Sequence, residues 1–144
     1  MTTPLSAQIV LETIADTSLK AGADLKEVYR IGDLAREFDV SLRTLRFYED
    51  RGLITPVRSG STRLYSRDDR KRLKIILLAK NVGFSLIDIQ EILKIYDGEG
   101  TQDDIGIIHM KFAKQLDALK IRKFELDRSI EDLVAAIETL NPKI

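Results

Sequence analysis

The last third of the chain restricts the possible folds more than any other segment. Residues 105–140 form a run of 36 residues in which Gly106 is the one helix-breaking residue. Apolar side chains recur in this run at alternating steps of three and four, which is the period of a coiled-coil seam. A helix of this length cannot bury such a seam inside so small a domain. The pattern therefore predicts pairing with a second copy of the chain, either parallel or antiparallel.

The seam has eight positions, and Lys123 is the one that is not apolar. The other seven, which we predict to form the dimer interface, are Leu116, Leu119, Leu126, Ile130, Leu133, Ile137 and Leu140. The stripe continues backwards through Phe112, Ile108 and Ile105 after an additional four-residue step between Phe112 and Leu116. Such a step is a stutter, which unwinds a coiled coil locally without ending it.

Charge is distributed unevenly along a chain whose formal net charge is zero. Residues 41–80 contain eleven Lys and Arg against four Asp and Glu, whereas residues 1–27 and 97–144 are both acidic. A positive field that is confined to one stretch is typical of a surface that meets nucleic-acid phosphates.

Two short helices are predicted where the basic stretch begins. The first, IGDLAREF, places Ile31, Leu34 and Phe38 on one face, and the second runs from a possible N-cap at Ser41 to a stop at Gly52. This is a helix-turn-helix, and its second helix would enter the major groove of DNA. Its candidate DNA contacts are Arg43, Thr44, Arg46 and Tyr48. Taken alone, the two arginines fit a solvated helix surface equally well.

A two-stranded hairpin is predicted next, because Pro56 and a turn at Ser59, Gly60 and Ser61 interrupt the helical pattern. In such a wing, guanidinium and phenol groups would bind phosphate and set the register on DNA. We assign this role to Arg58, Arg63 and Tyr65, and we extend the basic surface to Arg67 and Arg70. The alternative is that three or four of the five arginines and lysines in residues 67–74 form the solvent face of the following helix.

Ser66 and Ser85 are each placed to cap a further helix, and Gly98 and Gly100 separate these helices from the long one. Phe47 and Tyr48 are expected to anchor the short helices in the core, with Tyr48 the one that exposes its hydroxyl. The resulting division is an N-terminal extension (1–27), a DNA-binding domain (28–97) and a dimerisation helix (98–144).

A short helix is also predicted in the extension, within residues 5–20. The extension is interpreted either as a loosely docked tail or as a regulatory segment. In the second case Leu5, Ile9 and Ile14 would pack on the coil or on a partner.

The order of these motifs resembles that of the MerR family N-terminal domain. The matching elements are IGDLA at 31–35, TLRFYE at 44–49, GLI at 52–54, RLY at 63–65 and GFSL at 83–86. The resemblance covers residues 29–96, about half of the chain. It implies a mainly α fold: a winged helix-turn-helix domain followed by a long dimerisation helix in an antiparallel coiled coil.

The resemblance also implies a function. A homodimer would bind a pseudo-palindromic operator in promoter DNA and distort it, so that RNA polymerase engages both of its promoter elements. Distorting a site of this length costs on the order of 1–6 kcal/mol, which phosphate contacts can offset. By this resemblance Arg43, Thr44, Arg46 and Tyr48 belong to the groove helix, and Arg58, Arg63 and Tyr65 belong to the wing.

The sequence departs from well-known members of the family. Metal-sensing members use cysteines, of which this chain has none, so thiolate sensing is contradicted. Drug-sensing members append a ligand domain, for which we expect no room before Ile144, and the effector is therefore unknown. The pattern from Arg72 to Leu86 is similar to regulators of branched-chain amino acid and fatty-acid breakdown. The extension before Tyr29 is unusual for the family.

Other functions are weighed against this one. The chain has a single histidine, His109, and no phosphate-binding glycine loop or nucleophile–base pair, so we expect no catalytic site, metal or cofactor. It has no apolar run of membrane-spanning length and no signal peptide, which predicts a cytoplasmic protein. Within DNA binding, the rival is an effector-independent repressor or architectural protein that acts by occupancy. A protein-interaction module with an incidental basic face is the third possibility.

Overall fold

The computed structural model describes residues 11, 12, 14, 28–99 and 104–141. Most of them are helical, and the elements are β1 (Val28–Arg30), α1 (Ile31–Phe38), α2 (Leu42–Asp50), β2 (Val57–Ser59), β3 (Thr62–Ser66), α3 (Arg67–Asn81), α4 (Leu86–Tyr96) and α5 (Asp104–Leu140). The chain separates into two compact units, one ending at Ile108 and the other beginning at His109. The predicted division at residues 27 and 97 stays a prediction.

The first two helices form the predicted helix-turn-helix. Leu34 of α1 and Leu45 of α2 are fully buried, because each lies on the apolar face of its helix. Asp39 ends α1 in a left-handed conformation, at φ 52°, and its backbone N–H donates to the carbonyl of Ala35. Aspartate tolerates this conformation better than most residues do, which allows the turn to stay short.

The three serine caps are confirmed. The hydroxyl oxygens of Ser41, Ser66 and Ser85 accept hydrogen bonds from the backbone N–H three residues later, at 3.0, 3.0 and 3.2 Å. Each bond satisfies a helical donor that would otherwise lack a partner, so the beginnings of α2, α3 and α4 are fixed locally.

The sheet has three strands, where the sequence predicted a two-stranded hairpin. Its order is β1-β3-β2, with both pairs antiparallel. Ser59 pairs with Thr62 across a tight turn, and Gly60 supplies the positive φ of 65° that such a turn requires. β1 was missed because three residues give too short an alternation to recognise. Its central residue, Tyr29, pairs with Tyr65.

The core of the first unit lies where α3 and α4 pack against each other and α3 meets β3. Its largest fully buried side chains are Tyr29, Tyr65, Tyr96, Leu11, Leu34, Leu45, Ile54, Leu73, Ile76 and Ile92. The helix-turn-helix and the wing are therefore attached to a shared apolar core.

The extension is described at three positions. Leu11, Glu12 and Ile14 are helical, and Leu11 is buried. Leu5 and Ile9, which the sequence assigned to the packing face, lie outside the described residues.

The second unit consists of the part of α5 from His109 onwards. All seven apolar seam positions are exposed in the single chain, from 37% at Leu119 to 80% at Leu140. Among the helices that the structure describes, none is both long and apolar enough to cross a membrane.

Candidate nucleic-acid interface

The groove helix α2 divides its side chains between core and solvent. Arg43 and Arg46 are exposed. The hydroxyl of Thr44 forms a hydrogen bond with that of the capping residue, Ser41, at 2.9 Å. The expectation that Tyr48 exposes its hydroxyl was wrong. Its side chain is buried at 3% exposure, and it is Phe47 that is 43% exposed.

The reversal has a geometric reason. Tyr48 lies three residues after Leu45, on the same buried face of α2, whereas Phe47 projects from its side. The guanidinium of Arg51 lies 4.9 Å from the centre of the Phe47 ring and partly covers it. Tyr48 therefore holds α2 in place, and in this conformation it does not present its hydroxyl to DNA.

The wing presents arginines but not its tyrosine. Arg58 is exposed and Arg63 is half-buried, and both form ion pairs with Glu49 of α2. Tyr65 is fully buried, so its predicted phosphate contact is also corrected. Burial, and then the charge of Glu49, raise the pKa of the Tyr65 phenol to about 12. Residues of β3 alternate between two faces, and Tyr65 is on the face that packs inward.

A cleft of about 500 Å³ joins the groove helix to the wing. Arg46 reaches it from α2, and Arg63 lines it together with Ser61 and Thr62 of the wing turn. Helix α1 and the residue before it also line the cleft, and they add Arg30, Arg36 and Asp33, whose carboxylate pairs with Arg36 at 2.9 Å. Four arginines against one aspartate leave the cleft with an excess of positive charge, which suits an anionic backbone.

The basic residues of α3 are mostly used inside the protein. Arg70 is buried, its Nε donates to both carboxylate oxygens of Glu37 at 3.0 Å, and its guanidinium packs against the rings of Tyr29 and Phe38. The assignment of Arg70 to DNA is therefore corrected, because its charge is already neutralised within the core.

Two further cations of α3 also interact within the protein. Arg72 donates through its Nε to the carbonyl of Leu53 at 2.9 Å and pairs with Asp97, and Lys74 is buried. These residues are not the solvent face that the alternative interpretation proposed. Arg67 is exposed at the beginning of α3 and stays a predicted contact.

Sequence analysis missed three residues of this surface. Arg30 and Arg36 were overlooked because they precede the basic stretch, although Arg30 directly precedes the predicted first helix. Glu49 was missed because its partners lie on the wing strands, which only folding brings next to α2. No group of three or more His, Asp or Glu side chains that could hold a metal ion occurs within the described ranges.

The helix-turn-helix, the three-stranded wing and the arginine-lined cleft together define a winged helix-turn-helix protein with a long C-terminal helix. The model of the MerR HTH family regulatory proteins matches residues 29–95, and that of the MerR DNA-binding region matches residues 70–142. The chain belongs to the MerR family.

Individual relatives agree with this assignment. The HTH-type transcriptional regulator ZntR of Escherichia coli K12 is 34% identical over 111 residues, which cover 74% of this chain and 78% of ZntR. The crystal structure of HiNmlR, a MerR family regulator lacking the sensor domain, bound to promoter DNA, has a TM-score of 0.57 at 27% identity and covers 72% of this chain and 79% of that one. The N-terminus of the Bacillus subtilis multidrug transporter activator, MtaN, has a TM-score of 0.58 at 29% identity, covering 76% and 97%.

Proposed function

We propose that this protein is a transcription regulator that binds a pseudo-palindromic promoter operator as a homodimer and distorts it to control RNA polymerase. The observation that carries the proposal is the cleft in which Arg46 of α2 meets Arg63 of the wing. The cleft joins a candidate base-reading helix to a candidate phosphate-binding hairpin. Specific DNA recognition needs both kinds of contact, because phosphate contacts position the protein and base contacts read the sequence.

The contacts are assigned by exposure. Arg43 and Arg46 are the candidates for reading base edges in the major groove, since arginine binds guanine through two hydrogen bonds. Arg30, Arg58 and Arg63 are the candidates for phosphate, together with the exposed Arg67 at the start of α3. Tyr48, Tyr65 and Arg70 act indirectly, because they support the elements that carry these side chains.

The exposed seam of α5 supports the dimer. Seven large apolar side chains in one heptad pattern would cost several kcal/mol if they stayed in water. A second copy of α5 covers them most simply, and it also places two groove helices on one DNA molecule. The proposed partners are thus double-stranded DNA, a second copy and RNA polymerase, in the bacterial cytoplasm.

The proposed DNA-binding role does not by itself identify the regulated pathway. Similarity to regulators of branched-chain amino acid or fatty-acid breakdown stays a prediction, and the effector is not identified. The proposed role is regulation and not catalysis, in keeping with the transcriptional regulators that the chain resembles.

Selection from random duplex DNA at near-physiological salt tests the proposal. Recovery of an inverted repeat is expected, with binding that falls steeply as salt rises, at a logarithmic slope of about −0.9 for each phosphate contact. Failure to enrich any sequence would contradict operator recognition.

A transcription assay on a linear promoter that carries the selected repeat separates distortion from occupancy. Distortion predicts activation or release of repression at a fixed occupancy of the operator. Occupancy alone predicts a signal that falls as the operator fills.

A further inference from the structure

One carboxylate, that of Glu49 near the end of α2, joins the groove helix to the wing. It accepts a hydrogen bond from the Nε of Arg63 at 2.8 Å and forms an ion pair with an Nη of Arg58 at 3.5 Å. The side chain of Glu49 is 17% exposed and that of Arg63 is 24% exposed. Solvent therefore screens the Glu49–Arg63 pair less than it screens an ordinary surface pair.

The register of the two wing strands places two arginines opposite each other, beside this carboxylate. Arg58 of β2 and Arg63 of β3 are direct cross-strand partners. Like charges directly opposite each other destabilise an antiparallel pair. The Glu49 carboxylate pairs with both guanidinium groups and so offsets this repulsion from the groove helix.

We propose that Glu49 is a positioning residue that fixes the wing against α2, and thereby fixes the distance between base contacts and phosphate contacts. The proposal rests on the proposed DNA-binding function. Arg63 engages Glu49 through Nε, and a guanidinium carries five N–H donors, so its Nη groups are able to bind phosphate while Nε is held. The ion pair orients the arginine for DNA.

Simple electrostatics predicts the opposite effect. An acidic group beside bound DNA repels the phosphates, so its removal would tighten binding to every sequence if the group had no other role. The positioning role predicts that its removal weakens binding to the operator and leaves binding to random DNA unchanged or slightly tighter.

Glu49→Gln and Asp50→Asn form a matched pair for the test. Both remove one negative charge from the same end of α2, and Asp50 is exposed. With the selected operator and a random duplex of equal length, we expect Glu49→Gln to lower the operator-to-random affinity ratio about tenfold. We expect Asp50→Asn to leave the ratio unchanged. Equal effects of the two variants, or tighter operator binding by Glu49→Gln, would overturn the proposal.

A double-mutant cycle assigns the effect to the wing. Arg63→Ala should weaken binding to both DNAs, and Glu49→Gln should cause no further loss of the affinity ratio in that background. A full additional loss would mean that Glu49 does not act through Arg63.

Hydrogen exchange tests the same contact without DNA. The backbone amides of β2 and β3 should exchange faster in Glu49→Gln than in Asp50→Asn. If the wild-type protein selects no operator, the proposed function fails, yet the exchange experiment still decides whether Glu49 holds the wing. Identical exchange in the two variants would refute this structural role.

A separate observation concerns the surface that Asp68, Lys71 and Tyr96 form on α3 and α4. One Glu12 carboxylate oxygen lies 3.4 Å from Lys71 Nζ, and the other lies 3.5 Å from the Tyr96 hydroxyl. That hydroxyl donates to Asp68 at 2.8 Å, and burial together with Asp68 holds the pKa of Tyr96 above its ordinary range. Leu11, the neighbour of Glu12, is buried.

We infer that this surface is a docking site for the chain's own N-terminal segment. Both family models begin later, at residues 29 and 70, so Glu12 lies outside the ranges that they match, although the surface it contacts lies inside them. Glu12 neutralises Lys71, which lies one helical turn after Arg67, and the docked segment thus removes one positive charge from the basic helix.

Because the chain contains no cysteine, one introduced thiol reports docking directly. Leu11→Cys should be alkylated at least about tenfold more slowly than Ser59→Cys on the exposed wing turn. Glu12→Lys or Lys71→Glu should remove this protection, and the double reversal should restore it. Equal rates for the two thiols, or protection that falls on dilution and so identifies a segment from a second copy, would overturn the inference.

Unfolding in urea provides a second readout that needs no substitution at Leu11. The midpoint should fall in each charge reversal and recover in the double reversal. Equal midpoints in all four proteins would contradict docking.

Discussion

The winged-helix unit buries its large apolar side chains within the chain, whereas the long helix exposes them. In the first unit Leu34, Leu45 and Leu73 are fully buried, whereas in α5 Leu126 is 55% exposed and Leu133 is 63% exposed. The same residue type is thus satisfied within the chain in one region and left in water in the other. The first region has enough neighbouring elements to form a core, and a single helix has none.

The burial of charged side chains also differs between the two regions. Arg70 of the first unit is enclosed with its partner Glu37, whereas no described residue of α5 from His109 onwards is buried. The winged unit therefore encloses paired charges within the chain, whereas we propose that α5 covers its apolar seam by association.

The largest expected effect is on association. Leu126→Asp should place an unpaired carboxylate in the seam of each copy and cost about 3–5 kcal/mol, enough to dissociate a dimer at micromolar concentration and abolish operator binding. Light scattering measures the mass. Ala135→Asp, which lies on α5 outside the seam, is the control and should stay dimeric. A dimeric Leu126→Asp would show that the seam is wrongly placed.

Within the winged unit, Arg70→Ala should lower the free energy of unfolding by about 3 kcal/mol, because it leaves the Glu37 carboxylate without its ion pair. Urea denaturation measures this loss. Arg43→Ala, at an exposed position, should change stability by less than about 0.5 kcal/mol. Unchanged stability together with weaker DNA binding would show that Arg70 contacts phosphate, as the sequence predicted.

Arg46→Ala should weaken operator binding by about 1–3 kcal/mol and leave binding to random DNA nearly intact, as expected for an arginine that reads a base. Titration against both duplexes measures the difference. An equal loss on random DNA would assign Arg46 to phosphate, with the other arginines of the cleft.

The smallest effect is expected at Tyr65, whose buried hydroxyl has no hydrogen-bond partner in the described part of the chain. Tyr65→Phe should change stability by no more than about 1 kcal/mol near neutral pH. The folded protein holds the phenol proton to about pH 12, whereas the unfolded chain releases it near 10. This contribution to stability is therefore complete below pH 10 and declines as the pH rises from 10 to 12.

Unfolding measured across that pH range should show a shallower decline for Tyr65→Phe than for the wild type. Parallel curves would mean that Tyr65 is already ionised or solvated in the folded state.

Much of the fold was predictable because its signals are local. The caps at Ser41, Ser66 and Ser85 and the heptads of α5 depend on residues no more than seven apart. The third strand and the burial of Leu11 were not predicted, since each depends on contacts between residues far apart in the sequence.

The candidate site was predicted in its elements but not in all of its side chains. Arg43, Arg46, Arg58, Arg63 and Arg67 are at least partly exposed, as a DNA contact requires. Tyr48, Tyr65 and Arg70 carry suitable chemistry but face the core, and Arg30, Arg36 and Glu49 enter the site from outside the predicted set. Residue type indicates what a side chain is able to bind, and packing determines whether a ligand reaches it.

The sequence by itself determined the helices, their caps, the concentration of positive charge and the family. Local hydrogen bonds and periodic burial encode these features, and both depend on short-range order along the chain. Only the tertiary structure decided which cations face solvent and which carboxylate neutralises them. Glu37 reaches Arg70 across 33 residues, and Glu49 reaches Arg63 across 14. Such pairs form only when separate elements pack together, and no local pattern specifies them.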